Sequence, residues 1–376
     1  MMRPAFSSTK QAAAFALLLL ILLSLPAVVG ESFLPPREQS YAALSWGSGP
    51  YPWIQQQLFG EKGDIDIALV GSSHILQCMD ARLLQAELGE KLGRPATVRV
   101  IGWGGAGYDA LYFITRDLLK NRKVRLLVFY NENNDPGMRN NQSPVWFRLA
   151  DGAEALHGLP WSEQAYFYFA ALVGMPRNML ALSRPNLPAE LHAATPNYWE
   201  EHYRSANLAD NLGSTTSELG FYARPTADRD CDPTIPFIPH VPQTTAGPMD
   251  ACVYSAATQT NFQFSAEPLP VWQVHFARQF TAMVHEHGCR LVLLHIPTVE
   301  ESHSLKIQER TFWRENLDNS LFLLGVPPVK MFGGLTDDEV RKLYFNPGHL
   351  NKNGQAYFTS FIGPALLQLY ETQSGH

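Results

Sequence analysis

The sequence predicts an α/β fold of three layers, in which a parallel sheet of about five strands lies between helices and a large insertion follows the third strand. Three observations carry that expectation. Short apolar runs of strand length alternate with stretches of helical periodicity, the pattern of a parallel sheet covered on both faces. The runs are predominantly apolar, as suits strands buried on both sides. They end in small or polar residues, and the carboxyl ends of such strands are where an open parallel sheet binds its ligands. At 376 residues, 45% hydrophobic and 17% charged, the chain has the composition of a protein with a sizeable core.

The elements follow in order. Residues 66–70 (DIALV) form a first strand closed by Gly71. Asp80 is placed to cap a helix reaching about Gly89, with Leu83, Leu84 and Leu88 on its apolar face. Residues 97–101 form a second strand, and Tyr108, Leu111, Ile114 and Leu118 mark a second helix. Residues 124–130 (VRLLVFY) form a third strand. The alternation then breaks over an insertion, 136–267, rich in proline and in aromatics such as Trp146, Trp161, Tyr198 and Trp199. A structureless loop of that length would be unusual, so the insertion is expected to carry helices and pack as a lid or subdomain. Its aromatics read first as core and second as a platform for carbohydrate. Beyond it, Trp272, Phe276, Phe280 and Val284 recur at helical spacing and Gly288 ends that helix. Residues 290–296 (RLVLLHI) form a fourth strand, and a last helix runs from Lys352 to about Tyr370.

The amino terminus indicates export. Arg3 and Lys10 precede an uncharged apolar run, 11–30, with small residues at its end. Residues 1–30 therefore read as a secretory signal peptide or, since the run nearly matches a bilayer, as a membrane anchor. Residues 31–62 read as a linker, and 63–376 as the folded domain. Both readings of the leader place that domain in the periplasm or outside the cell.

The net charge of −6 leaves no electrostatic footprint for nucleic acid. No CxxC or Cys/His cluster is present, which argues against a zinc site. The glycines at 102–107 fit the dinucleotide fingerprint poorly, and no acidic residue closes a later strand as that fingerprint requires. No cofactor is expected. Cys231 and Cys252 flank a proline-rich loop, and a bridge there would add roughly 3 kcal/mol by closing about twenty residues. Cys78 and Cys289 lie beside apolar runs and read as buried thiols.

Reading the strand ends in turn yields a set of chemical groups on one rim. The first strand delivers Gly71, Ser72, Ser73 and His74; the second delivers a glycine turn centred on Gly105. The third delivers Asn131, Glu132, Asn133, Asn134 and Asp135, and Asn346, Pro347, Gly348 and His349 precede the last helix. A small hydroxyl, a glycine turn, a run of amides and an isolated histidine are the groups that nucleophilic acyl transfer requires.

These blocks, in this order, resemble those of the SGNH/GDSL hydrolases. GSSH at 71–74 looks like the nucleophile turn, Gly105 like the centre of the glycine turn, ENND at 132–135 like the GxND turn, and NPGH at 346–349 like DxxH. The resemblance covers about 60–110, 120–135 and 270–370, and leaves out the insertion. It implies an SGNH/flavodoxin-like sheet, Ser73 as nucleophile and His349 as its base. The oxyanion donors would be the N–H groups of Ser73 and Gly105 and the side chain of Asn134, with Asn133 an alternative one register away. The GSSH and GHLN-x-x-G forms look like the SGNH-like domains of exported bacterial proteins, several of which assist polysaccharide O-acetylation beside a membrane-bound O-acyltransferase. The implied substrate is an acylated carbohydrate or another ester, with such an acyltransferase as partner.

Two departures stand out. Ser72 replaces the acidic residue of GDS, and Asn346 replaces the Asp of DxxH. Loss of the orienting carboxylate in a serine protease costs about 10⁴ in turnover through the wrong imidazole tautomer. The expected functions are thus O-acyl transfer or ester hydrolysis, with a non-catalytic binding or assembly factor as the alternative. His74 is expected to point away from the site, and His295 to lie within the sheet.

Overall fold

The computed structural model describes residues 6–29, 36–42, 51–131, 140, 143–147, 152–169, 251–317 and 321–372. Most of the predicted insertion lies outside them, as do Asn133, Asn134 and Cys231. In chain order the strands are β1 (Ile65–Gly71), β2 (Val98–Gly102), β3 (Val124–Tyr130), β4 (Cys252–Val253), β5 (Phe262–Ser265), β6 (Arg290–Leu294), β7 (Ile307–Arg310), β8 (Leu321–Gly325), β9 (Tyr344–Asn346) and β10 (His349–Leu350). The longer helices, with the short ones that bear on the site, are α1 (Thr9–Val29), α2 (Arg37–Ala42), α3 (Ser73–Leu76), α4 (Ala81–Leu92), α5 (Tyr108–Asn121), α6 (Val271–Glu286) and α7 (Lys352–Glu371).

The central sheet has six strands in the order β2-β1-β3-β6-β8-β4. The first five are parallel, and β4 pairs antiparallel with β8 at the edge. Numbered among themselves, the parallel strands run 2-1-3-4-5, so the winding direction reverses between β1 and β3. That reversal opens a crevice at the strand carboxyl ends. Every residue of β1 is buried, which explains its unbroken apolar run. Helices α5 and α6 pack with one face of the sheet, and α4 and α7 with the other, each burying its own hydrophobic cluster.

Several expectations are corrected. The parallel strands number five, as expected, with β8 the one whose residues the sequence did not mark; the antiparallel edge strand β4 and the small parallel sheet of β5 and β7 are additions. Residues 251–267, assigned to the insertion, supply β4 and β5 and so belong with the sheets. Leu83 is exposed while Leu84 and Leu88 are buried, because 83 lies a full helical step of rotation from the core stripe. The predicted linker 31–62 packs in part on the domain: Tyr41, Tyr51, Ile54 and Leu58 are fully buried. Arg37 and Tyr41 of α2 both reach Asp117 on α5, at 2.5 and 2.7 Å. In α1, Phe15 and the apolar residues 17–22 are exposed. With the side chains of α1 described as far as Leu22, no helix among the described residues is long and apolar enough to cross a membrane.

Candidate active site

The position of Ser73 is built by two glycines. Gly71 and Gly102 sit side by side in the register of β1 and β2. A Cβ on Gly71 would lie 2.8 Å from Ile75 Cγ1, and one on Gly102 would lie 2.8 Å from Leu76 Cβ and 3.1 Å from Leu76 Cα. Bare glycine at both strand ends lets α3 lie close across them. Ser73 is the first residue of that helix and retains 8% of its surface exposed, enclosed yet reachable.

His349 arrives from the opposite end of the chain. Strands β9 and β10 form a hairpin in which Asn346 pairs with His349 across Pro347 and Gly348. Asn351 ends the hairpin and caps α7: its side-chain oxygen accepts from the N–H groups of Asn353 and Gly354 at 3.0 and 3.1 Å. Its amide donates back to the carbonyls of Lys342 and Tyr344 at 2.7 and 3.2 Å. A Cβ at 354 would fall 2.0 Å from the Leu343 carbonyl oxygen, so glycine is needed for the helix start to press on the hairpin. These contacts give the GHLN-x-x-G segment its physical meaning.

Two residues 276 positions apart meet as a result: Ser73 Oγ lies 2.9 Å from His349 Nε2. On the other side of the ring, His349 Nδ1 lies 2.8 Å from Asn346 Oδ1. The same Oδ1 accepts from the Gly348 N–H at 3.0 Å, which fixes which end of the amide is oxygen. An amide oxygen only accepts, so the Nδ1 must carry the hydrogen. Nε2 then faces the Ser73 hydroxyl with its lone pair, the tautomer a general base needs.

His74 is a correction. It does not point away but stacks on His349, with ring centroids 4.3 Å apart and planes at 20°. It also stacks with Tyr130, at 4.9 Å and 22°. Opposite directions for neighbouring residues hold in a strand, but 73 and 74 open a helix, where successive side chains diverge by only about 100°. Burial pushes the His74 imidazole down to about 4, so it is neutral near pH 7.

The glycine turn brings a residue the sequence did not single out. Gly105 and Gly107 have φ of +84° and +137°, which glycine adopts without strain. The buried Asn140 donates its side-chain amide to the Gly105 carbonyl at 3.3 Å. Asn131, at the end of β3, is scaffold: Tyr108 donates to it at 2.7 Å, and it donates to Glu309 at 2.6 Å. Asn134 and its alternative Asn133 lie outside the described residues.

His295 is buried just beyond β6, its ring nitrogens 3.7 Å from Glu309 and 3.8 Å from Glu301. Burial opposes its protonation, but the adjacent carboxylates of Glu309 and Glu301 outweigh it and raise the imidazole above its ordinary value. The loop it anchors braces the hairpin, since the Val299 N–H donates to the Pro347 carbonyl at 2.9 Å and the Tyr344 hydroxyl to that of Pro297 at 2.7 Å. The signal for this brace was the capping box TVEE at 298–301, with both of its bonds formed.

Cys78 and Cys289 are buried, and burial raises both thiols, Cys289 to about 12, which leaves them unreactive near neutrality. Cys252 is buried on β4; its suggested partner, Cys231, lies outside the described residues. Among the described residues no group of three or more His, Cys, Asp or Glu side chains is placed to hold a metal ion. Compared with known proteins, the chain matches no family model, no curated protein and no solved structure.

Proposed function

We propose that this chain is a serine-dependent acyl-group enzyme of the SGNH/GDSL type, acting by O-acyl transfer to, or ester hydrolysis of, an acylated carbohydrate outside the cytoplasm. The observation that carries the proposal is the hydrogen-bonded line Ser73–His349–Asn346, at 2.9 and 2.8 Å. Its tautomer is the one in which the Ser73 proton can pass to Nε2. The Ser73 oxygen then attacks the ester carbonyl, and His349 returns the proton to the departing alcohol. An acyl-enzyme remains, and water or a sugar hydroxyl attacks it with His349 again as base. The developing oxyanion would be met by the N–H groups of Ser73 and Gly105 and the amide of Asn134, one such donor being worth about 3–4 kcal/mol.

Acetyl as the acyl group, carbohydrate as the acceptor and a membrane-bound O-acyltransferase as the partner rest on the resemblance of the GSSH and GHLN-x-x-G blocks. The extracytoplasmic location is supported by the basic start and the exposed apolar side chains of α1, as a signal peptide or an anchor. The test is a fluorophosphonate probe on the purified full chain. Covalent labelling that disappears in Ser73→Ala is the expected result. Folded wild-type protein that takes no label would overturn the enzyme reading.

One observation favours a second reading. Asn346 brings no charge to the imidazolium that catalysis would form, as suits a site kept for binding or assembly after turnover has been lost. That reading predicts no Ser73 labelling, together with binding of acetylated polysaccharide.

A further inference from the structure

We infer that His74 is a positioning residue of this site: its ring, which also stacks with Tyr130, sets the tilt of the His349 ring and stabilises the imidazolium that forms when Ser73 gives up its proton. The inference rests on the serine reading above and adds a component that reading does not contain.

Two in-plane hydrogen bonds, at Nε2 and Nδ1, hold the His349 ring along one axis. They leave rotation about that axis weakly controlled. A face contact controls it, and the Tyr130–His74–His349 stack supplies one at 4.9 and 4.3 Å, with planes within 22° and 20° of parallel. Gly348 makes room for the stack: a Cβ there would approach His74 Nε2 to 3.2 Å, tighter than a side chain normally sits.

The charge argument points the same way. A cation over a neutral aromatic face is stabilised, more so when water is excluded. In the present site Asn346 supplies a hydrogen-bond acceptor but no negative charge, so the imidazolium depends on its remaining surroundings. His74 can serve because it is itself uncharged. Its largely desolvated location keeps its own proton off down to about pH 4, so it does not repel the charge forming beside it.

Leucine and phenylalanine at 74 separate the two components. Both fill the position and both exclude water; only phenylalanine keeps an aromatic face. On the full chain, His74→Leu is expected to slow fluorophosphonate labelling of Ser73 by about 5- to 30-fold. For p-nitrophenyl acetate hydrolysis the loss should fall on kcat, with KM within about twofold of wild type, as for an interaction made mainly in the transition state. His74→Phe should recover most of the rate at a similar melting temperature. The penalty of His74→Leu should also shrink when Asn346→Asp supplies a charge, a coupling that a purely structural role would not produce. Leucine as fast as wild type, phenylalanine as slow as leucine, or a penalty undiminished in the N346D background overturns the inference while leaving the serine reading intact. If folded wild type takes no label at Ser73, the serine reading fails and this inference falls with it.

Discussion

On the proposed serine chemistry, replacing Asn346 by aspartate should speed the reaction of Ser73, and the structure bounds by how much. Asn346 Oδ1 already accepts from His349 Nδ1 at 2.8 Å and from the Gly348 N–H at 3.0 Å. A carboxylate can keep both bonds, so the change adds charge without rebuilding the loop. With charge centres about 4 Å apart and an effective dielectric of about 20, the attraction to an imidazolium is about 4 kcal/mol. Asn346 is only partly buried, and solvent screening at such a position removes about half of that. What remains, about 2 kcal/mol, corresponds to about 30-fold in rate. The unscreened figure corresponds to about 1,000-fold and sets the ceiling. The 10⁴-fold loss seen for Asp→Asn in a serine protease should not be recovered in reverse, because most of it reflects a wrong tautomer. Here the Gly348 bond already holds the amide oxygen toward Nδ1. The assay is the rate of Ser73 labelling, with p-nitrophenyl acetate hydrolysis alongside and Ser73→Ala as the blank. A gain under threefold in N346D of unchanged melting temperature would refute the reasoning, since a neutral acceptor would then suffice.

Two further perturbations test the scaffold. Asn351→Ala removes a helix cap and the donations to the carbonyls of Lys342 and of Tyr344 in the hairpin; it should cost about 2 kcal/mol, lower the melting temperature by several degrees, and slow Ser73 labelling by loosening the hairpin. An alanine variant that melts like wild type would refute this. His295 should impose an alkaline loss of stability. Its folded value is raised, so its contribution is complete below the unfolded histidine value of about 6.5 and drains away as pH rises through the folded value. Thermal melts from pH 6 to 9 should fall for wild type and flatten for His295→Gln, and parallel slopes would exclude the role.

The central sheet was legible because it is driven by burial. Residues 66–70, 124–130 and 290–296 are mostly apolar, with a charged residue only at or beside their first position and His295 near the end of the last, and they match β1, β3 and β6 to within two residues at either end. The elements missed carry weaker signals. β4 has two residues and no period to detect; β5 and β7 (FQFS and IQER) are short and mixed in polarity, and they find each other only across some forty residues. At the site, residue types and order singled out Ser73, His349 and Asn346, because chemistry restricts which side chains can serve. Three facts were not readable from residue type. The direction of the Asn346 amide is set by a backbone N–H two residues on. The side on which His74 falls depends on whether a helix begins at residue 73 or later. The docking of Asn140 on Gly105 depends on how the chain returns after β3.

The Ser73–His349 distance is set by a short closed path of contacts rather than by the length of chain between the two residues. From Ser73 the chain runs through α3 to Asp80, whose side chain caps α4 by accepting from Arg82 and Leu83. The backbone N–H of the same Asp80 donates to Thr359 Oγ1 on α7 at 2.8 Å. Helix α7 leads back to Asn351, whose cap and whose bonds to Lys342 and Tyr344 hold the hairpin carrying His349. Every link is a hydrogen bond or a helix turn, and none passes through residues 170–250. A misplacement of about 1 Å between reacting groups can cost about 100-fold in rate, so the demand for accuracy falls on these few bonds. That is the physical reason glycine, a capping asparagine and a buried threonine matter here as much as the serine and histidine they bring together.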